Sequence, residues 1–384
     1  MGFADLRHLA YPWDTLTDVR ATARAHPDGM VDLSIGTPVD PTPGVVREAL
    51  AAASDAHGYP LTHGTPVLRE AVAAWFARRR AVPDVDPAAV LPTIGSKELV
   101  GLLPSLLRLG PGDVVVHPRI AYPTYDVGAR LAGATALPAD DVDEWAGRSD
   151  VRLVWVNSPS NPTGAVADTR HLRAVVEAAR EVGAVVVGDE CYAELPWTAP
   201  WAPEHAAGTS RVPSLLDPRV TGGSHEGLLV AYSLSKQSNV AGYRAAFVAG
   251  DPVLVADLLA TRKHLGMIVP APVQAAVTAA LADDAHVAAQ RETYGRRRAA
   301  LLPALEAARY AVDHSEAGLY LWVRPADEAE RGVGSRELAR RFAERGILVG
   351  PGEFYGSAGA GHVRVALTAP DESIAAAVVR ITSS

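Results

Sequence analysis

The sequence predicts an α/β protein: a large doubly wound, mainly parallel sheet domain joined to a smaller α+β domain. Three observations carry this. From about residue 90, short apolar runs of strand length alternate with segments of helical periodicity. After about residue 270 that alternation gives way to a long helical stretch followed by strand, helix and strand candidates. The first forty-odd residues are rich in Pro and Gly, have little periodicity and read as an arm. The expected division is an arm over 1–45 contributing to the small domain, a large domain over 46–275 and a small domain over 276–384.

Along the chain, the arm leads into "VDLSIGTPVDPTP". "TPVLREAVAAWFARRR" places Val67, Leu68, Ala71, Val72, Trp75 and Phe76 at helical spacing. Its end, Ala77 to Arg80, reads as a solvated helix terminus. "LPTI" precedes the helix "KELVGLLPSLLRLG", and "DVVVHP" precedes "YDVGARLAGA". "VRLVWVNSP" precedes "TRHLRAVVEAAREVG", and "AVVVGDECY", "GLLVAYSLS" and "AAFVAG" follow as further strands. One helical region over Pro272 to Ala308 is expected to carry its arginines on the exposed side. "GLYLWVRP", "SRELARRFAERG", "ILVGPG" and "HVRVALT" complete the small domain. There is no internal repeat.

Composition bounds the function. The 384 residues are 48% hydrophobic and 21% charged, with a net charge of −8, so a nucleic-acid surface is not expected. A single cysteine, Cys191, excludes an internal disulfide framework and fits a reducing compartment. No signal peptide is legible in "MGFADLRHLAYPWD", and no run of eighteen apolar residues occurs; a cytoplasmic protein away from membranes is expected. His117, His171 and His264 lack metal-ligand spacing, so no metal is expected.

The chemistry is carried by lysine scarcity and by what stands at the strand ends. The 36 basic residues include only three lysines: Lys97, Lys236 and Lys263. An amine can lose its proton and form an imine, whereas a guanidinium stays charged. In an open parallel sheet, ligands bind beyond the carboxyl ends of the strands. There the chain offers Gly95-Ser96-Lys97, a helix start that is either a cap or a phosphate cradle. It then offers Tyr122 and Tyr125, Asn157 and Asn161 in "NSPSNPTG", and Asp189 with Tyr192 in "GDECY". Last comes "SLSKQSNVAGYR", with Ser233, Ser235, Lys236 and Arg244.

In this order the residues resemble the fold type I pyridoxal-phosphate enzymes, in particular the class I and II aminotransferases, over nearly the whole chain. The resemblance implies pyridoxal 5′-phosphate as cofactor and a role for each residue. Lys236 would form the imine with the cofactor aldehyde and later move the substrate proton. Asp189 would pair with the pyridine nitrogen, Tyr192 and Asn161 would hydrogen-bond the ring oxygen, and Tyr122 would stack on the ring. Ser96, the backbone N–H of Lys97, Ser233, Ser235 and Arg244 would hold the phosphate. Tyr59, in "HGYPLTHG", would reach the phosphate of a neighbouring subunit, which implies a homodimer. Arg364, in "HVRVALT", would take the substrate α-carboxylate, with Asn161 beside it and Gly36, in "SIGTP", leaving room for it. Cys191 reads as a packing residue, and Lys263 as a residue near the dimer interface or the substrate mouth.

Within that family "YPWDTL", "LSIGTPVDPTP", "IAYPTYDVGARLAGA" and "RKHLGMIVPAPVQAA" resemble the N-succinyldiaminopimelate aminotransferases of lysine biosynthesis. That resemblance implies amino transfer between glutamate and N-succinyl-2-amino-6-oxopimelate. "LGMIVPAP" is apolar where aspartate aminotransferases carry an arginine for the side-chain carboxylate. The alternatives are a transaminase for aspartate, alanine or aromatic amino acids, and a carbon–sulfur β-lyase. A cofactor-binding regulator would need a DNA-binding module for which the sequence shows no segment.

Overall fold

The computed structural model describes residues 11–205 and 208–383. Its centre is a seven-stranded sheet. The strands are β1 (Val90–Ile94), β2 (Val114–His117), β3 (Thr135–Pro138), β4 (Val151–Asn157), β5 (Val185–Asp189), β6 (Leu228–Ser233) and β7 (Ala245–Gly250). Their spatial order is β1-β7-β6-β5-β4-β2-β3. All neighbours run parallel except β7, which is antiparallel to β1 and β6. The middle strands are largely apolar up to their carboxyl ends because helices cover both faces.

The helices used below are α1 (Pro66–Arg79), α2 (Ser96–Leu106), α3 (Thr124–Leu131), α4 (Thr169–Val182), α5 (Pro252–Leu265), α6 (Ala271–Ala282), α7 (Asp284–Ala307), α8 (Ser335–Glu344) and α9 (Asp371–Thr382). Their ends follow local chemistry. Thr65 accepts the Leu68 N–H at the start of α1, with Pro66 in the first turn. Asp168 accepts the His171 N–H at the start of α4, which stops at Gly183 with φ +69°. One face of the sheet packs under α1, α4 and α6. The other packs under α2, α3 and α5.

The smaller unit has a four-stranded antiparallel sheet: β8 (Tyr310–Asp313), β9 (Tyr320–Pro325), β10 (Gly350–Pro351) and β11 (Val363–Ala366), in the order β10-β11-β9-β8. α7, α8 and α9 share its core. The arm joins it: Val31–Asp32 pairs in parallel with Ile347–Leu348, and Ala23 packs on Ala343 and Leu348. Among the described residues, no helix is long and apolar enough to cross a membrane.

Several expectations need correction. The region 272–308 is two helices, broken at Asp283, whose carboxylate caps α7 through the Ala285 N–H. α6 packs into the core of the large sheet, whereas α7 packs chiefly with the small-domain sheet. The arginines of α7 are not all exposed. Arg297 is buried, held by Asp40 (2.5 Å) and Asp371 (2.6 Å). "ILVGPG" is two short strands in two different sheets. Val67 is exposed although its helical neighbours are buried. The end of "ARRR" is the opposite of solvated: Arg79 pairs with Glu194 at 2.6 Å and Arg80 with Glu190 at 2.9 Å, all four buried. Helical periodicity does not reveal carboxylates more than a hundred residues away.

Candidate active site

Strand register assembles the site. Asn157 at the end of β4 lies opposite Asp189 at the end of β5, and Asp189 lies opposite Ala231 on β6. On the other side, Ser233 faces Ala246 of β7, and Ala245 faces Ile94 of β1. The loop after β1 and the single loop joining β6 to β7 therefore meet at one edge with the ends of β4 and β5. They wall a cavity of about 560 Å³ between the two domains. Ser96, Lys97, Tyr122, Asn161, Asp189, Tyr192, Ser233, Ser235, Lys236, Arg244, Gly36 and Arg364 all line it. Tyr59 does not: it is 99% exposed on the single chain. Lys263 is exposed in the last turn of α5, outside the cavity.

One end of the cavity is a cluster of donors. Gly95 has φ +76°, and its N–H donates to the Arg244 carbonyl at 2.9 Å. A side chain at 95 would overlap the Arg244 guanidinium, which lies over the start of α2. Only glycine fits both the backbone conformation and this approach. Ser233 Oγ accepts the Ser235 N–H at 3.2 Å and lies 2.8 Å from Ser235 Oγ. Two hydroxyls, a guanidinium and the free N–H groups of a helix start are the donor set for a phosphate.

In the middle, Lys236 Nζ donates to the Gly36 carbonyl at 2.5 Å. Asp189 Oδ2 accepts the Tyr125 hydroxyl at 2.8 Å, and Oδ1 accepts the Cys191 N–H at 3.3 Å. Cys191 is buried, and burial raises its thiol pKa well above the ordinary range. It is a packing residue at the cavity wall, not a thiolate. The Lys97 side chain turns away from the donor cluster. Its Nζ lies 5.5 Å from the Tyr11 ring centre and 5.4 Å from that of Tyr122.

At the far end stands Arg364, 2% exposed. Its Nη1 donates to Asn161 Oδ1 at 2.9 Å and its Nη2 to the Ser34 carbonyl at 2.8 Å. Its Nε has no hydrogen-bond partner, and among the described residues no carboxylate pairs with it. The guanidinium carbon lies 3.9 Å from the centre of the Tyr320 ring, 5.0 Å from that of Tyr355 and 6.0 Å from that of Trp13. Burial works against the charge, but the surrounding phenols offset it and keep Arg364 above its usual pKa. A buried guanidinium without a counter-ion is costly unless an anionic ligand completes it.

Tyr320 is a site residue that sequence reasoning missed. Its hydroxyl lies 3.3 Å from that of Tyr192. Burial pushes the Tyr320 phenol up, yet Arg364 and Lys236 outweigh it and lower the pKa below its ordinary value. For Tyr192 burial dominates and raises it. Tyr320 also corrects the reading of Gly36. A side chain at 36 would overlap the Tyr320 hydroxyl, so the space that glycine provides is held by a phenol. The available signal was the strand "GLYLWVRP", which pairs with the strand of Arg364; Tyr320 lies opposite Ala366, two residues from Arg364. Tyr125 and Trp13 were visible as residues but had no assigned partner.

A second cavity, of about 960 Å³, adjoins the first and shares Tyr11, Trp13, Lys97 and Tyr122 with it. Leu102, Val127, Leu131, Phe354 and Tyr355 make much of its wall apolar.

The sequence profile described as "Aminotransferase class I and II" matches residues 28–381. The chain is 58% identical over 372 residues to a "Probable aminotransferase" of Mycobacterium tuberculosis, covering 97% of this chain and 85% of that protein. It is 54% identical over 372 residues to the 4-dedimethylamino-4-oxo-anhydrotetracycline transaminase OxyQ of Streptomyces rimosus, covering 97% and 98%. Among solved structures it resembles a "probable N-succinyldiaminopimelate aminotransferase" from Thermus thermophilus. That likeness has a TM-score of 0.82 at 30% identity and covers 96% of this chain and 99% of the other.

Proposed function

The chain belongs to the class I and II aminotransferases, and from that membership we propose that it passes an amino group from glutamate to a keto acid with a long side chain. The acceptor is N-succinyl-2-amino-6-oxopimelate. The enzyme depends on pyridoxal 5′-phosphate, as its family does.

The residues present fit that cofactor. A side chain at 95 would collide with the Arg244 guanidinium, which stands with Ser96, Ser233 and Ser235 on the cavity wall as a donor set for the phosphate. In this reading Ser96, Ser233, Ser235, Arg244 and the Lys97 N–H hold the phosphate, and Tyr59 of each chain reaches the other chain's site in a homodimer. Asp189, oriented by Tyr125, keeps the pyridine nitrogen protonated. Tyr122 would lie against the ring, and Tyr192 and Asn161 would hydrogen-bond its oxygen. Lys236 is the amine that carries the cofactor. When bound, the pyridoxal group supplies an electron sink for negative charge developing at the substrate α-carbon.

The rest of the work falls to the chain. Arg364 binds the substrate α-carboxylate as a two-pronged donor, which fixes the α-carbon beside Lys236. Freed when the substrate amine takes its place on the cofactor, the Lys236 amine would take the proton from the substrate α-carbon as base and later give it up as acid. The Gly36 carbonyl orients that amine. The observation carrying this reading is Arg364, a buried guanidinium with no carboxylate partner among the described residues, in the same cavity as Lys236.

A second reading, a bulky aromatic acceptor, is favoured by the large apolar cavity beside Tyr122 and Tyr355 and by the similarity to a transaminase named for an anhydrotetracycline. An acceptor screen with glutamate as donor separates the two. Formation of 2-oxoglutarate with N-succinyl-2-amino-6-oxopimelate at a kcat/KM at least tenfold above that for aromatic keto substrates supports the first. The reverse ratio supports the second. Pyruvate and ammonia from cystathionine would show a lyase instead.

A further inference from the structure

Lys236 lies in the turn that follows β6, and three side chains of α7 hold that turn. His286 Nε2 lies 2.8 Å from Ser238 Oγ, and His286 Nδ1 lies 3.2 Å from Asp283 Oδ2. Gln290 Oε1 accepts from Asn239 Nδ2 at 2.7 Å. The Tyr294 hydroxyl is 3.2 Å from Asn239 Oδ1 and 3.4 Å from the Lys236 carbonyl. Positions 286, 290 and 294 are four apart, so they form one stripe along the helix. The stripe continues to the arm, where Gln290 Nε2 and Arg297 both donate to Asp40.

Serine, histidine and aspartate in this order are the components of a nucleophilic triad, but Ser238 has no exposed surface and lines none of the cavities described. No substrate reaches it, so the relay orients instead of attacking. It has something to orient. Asn239 is left-handed, with φ +53°, a conformation that asparagine adopts more readily than other non-glycine residues. Gln290 and Tyr294 bind both ends of its amide, and Thr42 binds its carbonyl at 2.9 Å. Ser238, one residue earlier, is bound by His286. Lys236 is two residues before that.

We propose that the stripe His286–Gln290–Tyr294, with His286 held by Asp283, is the element that positions Lys236. It fixes the turn over residues 236–239 and ties it to α7 and, through Asp40, to the arm. None of these side chains touches a reacting atom; they act through the backbone that carries the amine. The proposal rests on Lys236 as the cofactor-bearing amine.

The test compares full-length His286→Leu and His286→Gln with wild type. Leucine removes the bond to Ser238, whereas glutamine keeps a polar group within reach of it. Amide hydrogen exchange of the peptide from Leu234 to Arg244 is measured without and with pyridoxal 5′-phosphate. The pH midpoint of the bound cofactor's visible band and the steady-state constants are measured alongside. For His286→Leu, exchange in that peptide is expected to accelerate at least tenfold. The band midpoint is expected to move by at least about half a pH unit. kcat is expected to fall at least tenfold while KM for glutamate stays within threefold. His286→Gln is expected to recover most of each change. A folded His286→Leu protein with all three readouts within twofold of wild type would overturn the proposal, as would a glutamine variant no better than leucine. If the leucine variant does not fold, Gln290→Leu is read by the same measurements through Asn239. A wild-type protein with no visible band would instead remove the aminotransferase reading. The exchange measurement without cofactor would still decide whether α7 anchors the turn.

Discussion

Arg364 shows how much one side chain carries. Its two terminal nitrogens are already engaged by Asn161 and Ser34, and its plane lies against Tyr320. The fork is therefore preset in direction before a carboxylate arrives. Lysine offers a point charge and no fork. Arg364→Lys is expected to lower kcat/KM for the amino donor and the keto acceptor together, because both present an α-carboxylate to the same place. Loss of one charge-assisted bond, about 1.5–3 kcal/mol, corresponds to roughly one to two decades in rate. The visible band of the resting enzyme should remain present, because Lys236 is intact. A loss confined to one of the two substrates would mean that Arg364 reads a side chain.

At the scale of elements, α1 is bolted to the loop that follows β5. Arg80 donates to Glu190 and to the carbonyls of Val212 and Pro213, while Glu190 also accepts from Ser214 and Leu215. Arg79 does the same for Glu194. Glu190 lies between Asp189 and Cys191, so the pair fixes the segment that presents Asp189 and Tyr192 to the cavity. Arg80→Met leaves the Glu190 carboxylate buried without its cation, and breaking a buried pair from one side costs about 3–5 kcal/mol. A urea titration should show the midpoint fall accordingly, with Arg80→Met/Glu190→Gln recovering part of the loss. An unchanged midpoint in the single variant would show that the loop has another anchor.

At the scale of the molecule, Tyr59, Leu61, Val67 and Leu265 are large apolar side chains left exposed on the single chain. In the proposed homodimer Tyr59 of each chain is expected to serve the other chain's site. Mixing two impaired variants tests that directly. Lys236→Ala abolishes the amine, and Tyr59→Ala weakens the phosphate cradle. If Tyr59 serves the opposite chain, a hybrid dimer contains one wholly wild-type site, and activity should rise on mixing toward about a quarter of wild type. If Tyr59 serves its own chain, no hybrid site is intact, and mixing restores nothing.

By itself the sequence determined the order of elements and the set of polar residues at the strand ends. A parallel sheet sends every βα loop to one edge, so Gly95-Ser96, Asn161, Asp189 and Ser233-to-Lys236 had to meet once the strands were recognised. Lysine scarcity singled out Lys236 because local chemistry alone distinguishes an amine from a guanidinium. Only the tertiary structure decided the rest. It placed Tyr320 over Arg364, Tyr125 on Asp189, Arg80 in the core and the stripe of α7 behind Lys236. Each of these joins groups 44 to 110 positions apart on segments whose own patterns are satisfied without the partner. An arginine at a helix end reads as solvated until a carboxylate from a distant loop is brought against it. Periodicity reports which face of an element is apolar; which polar group meets which is settled by packing, where an unpaired buried charge or hydroxyl costs more than the chain can spare.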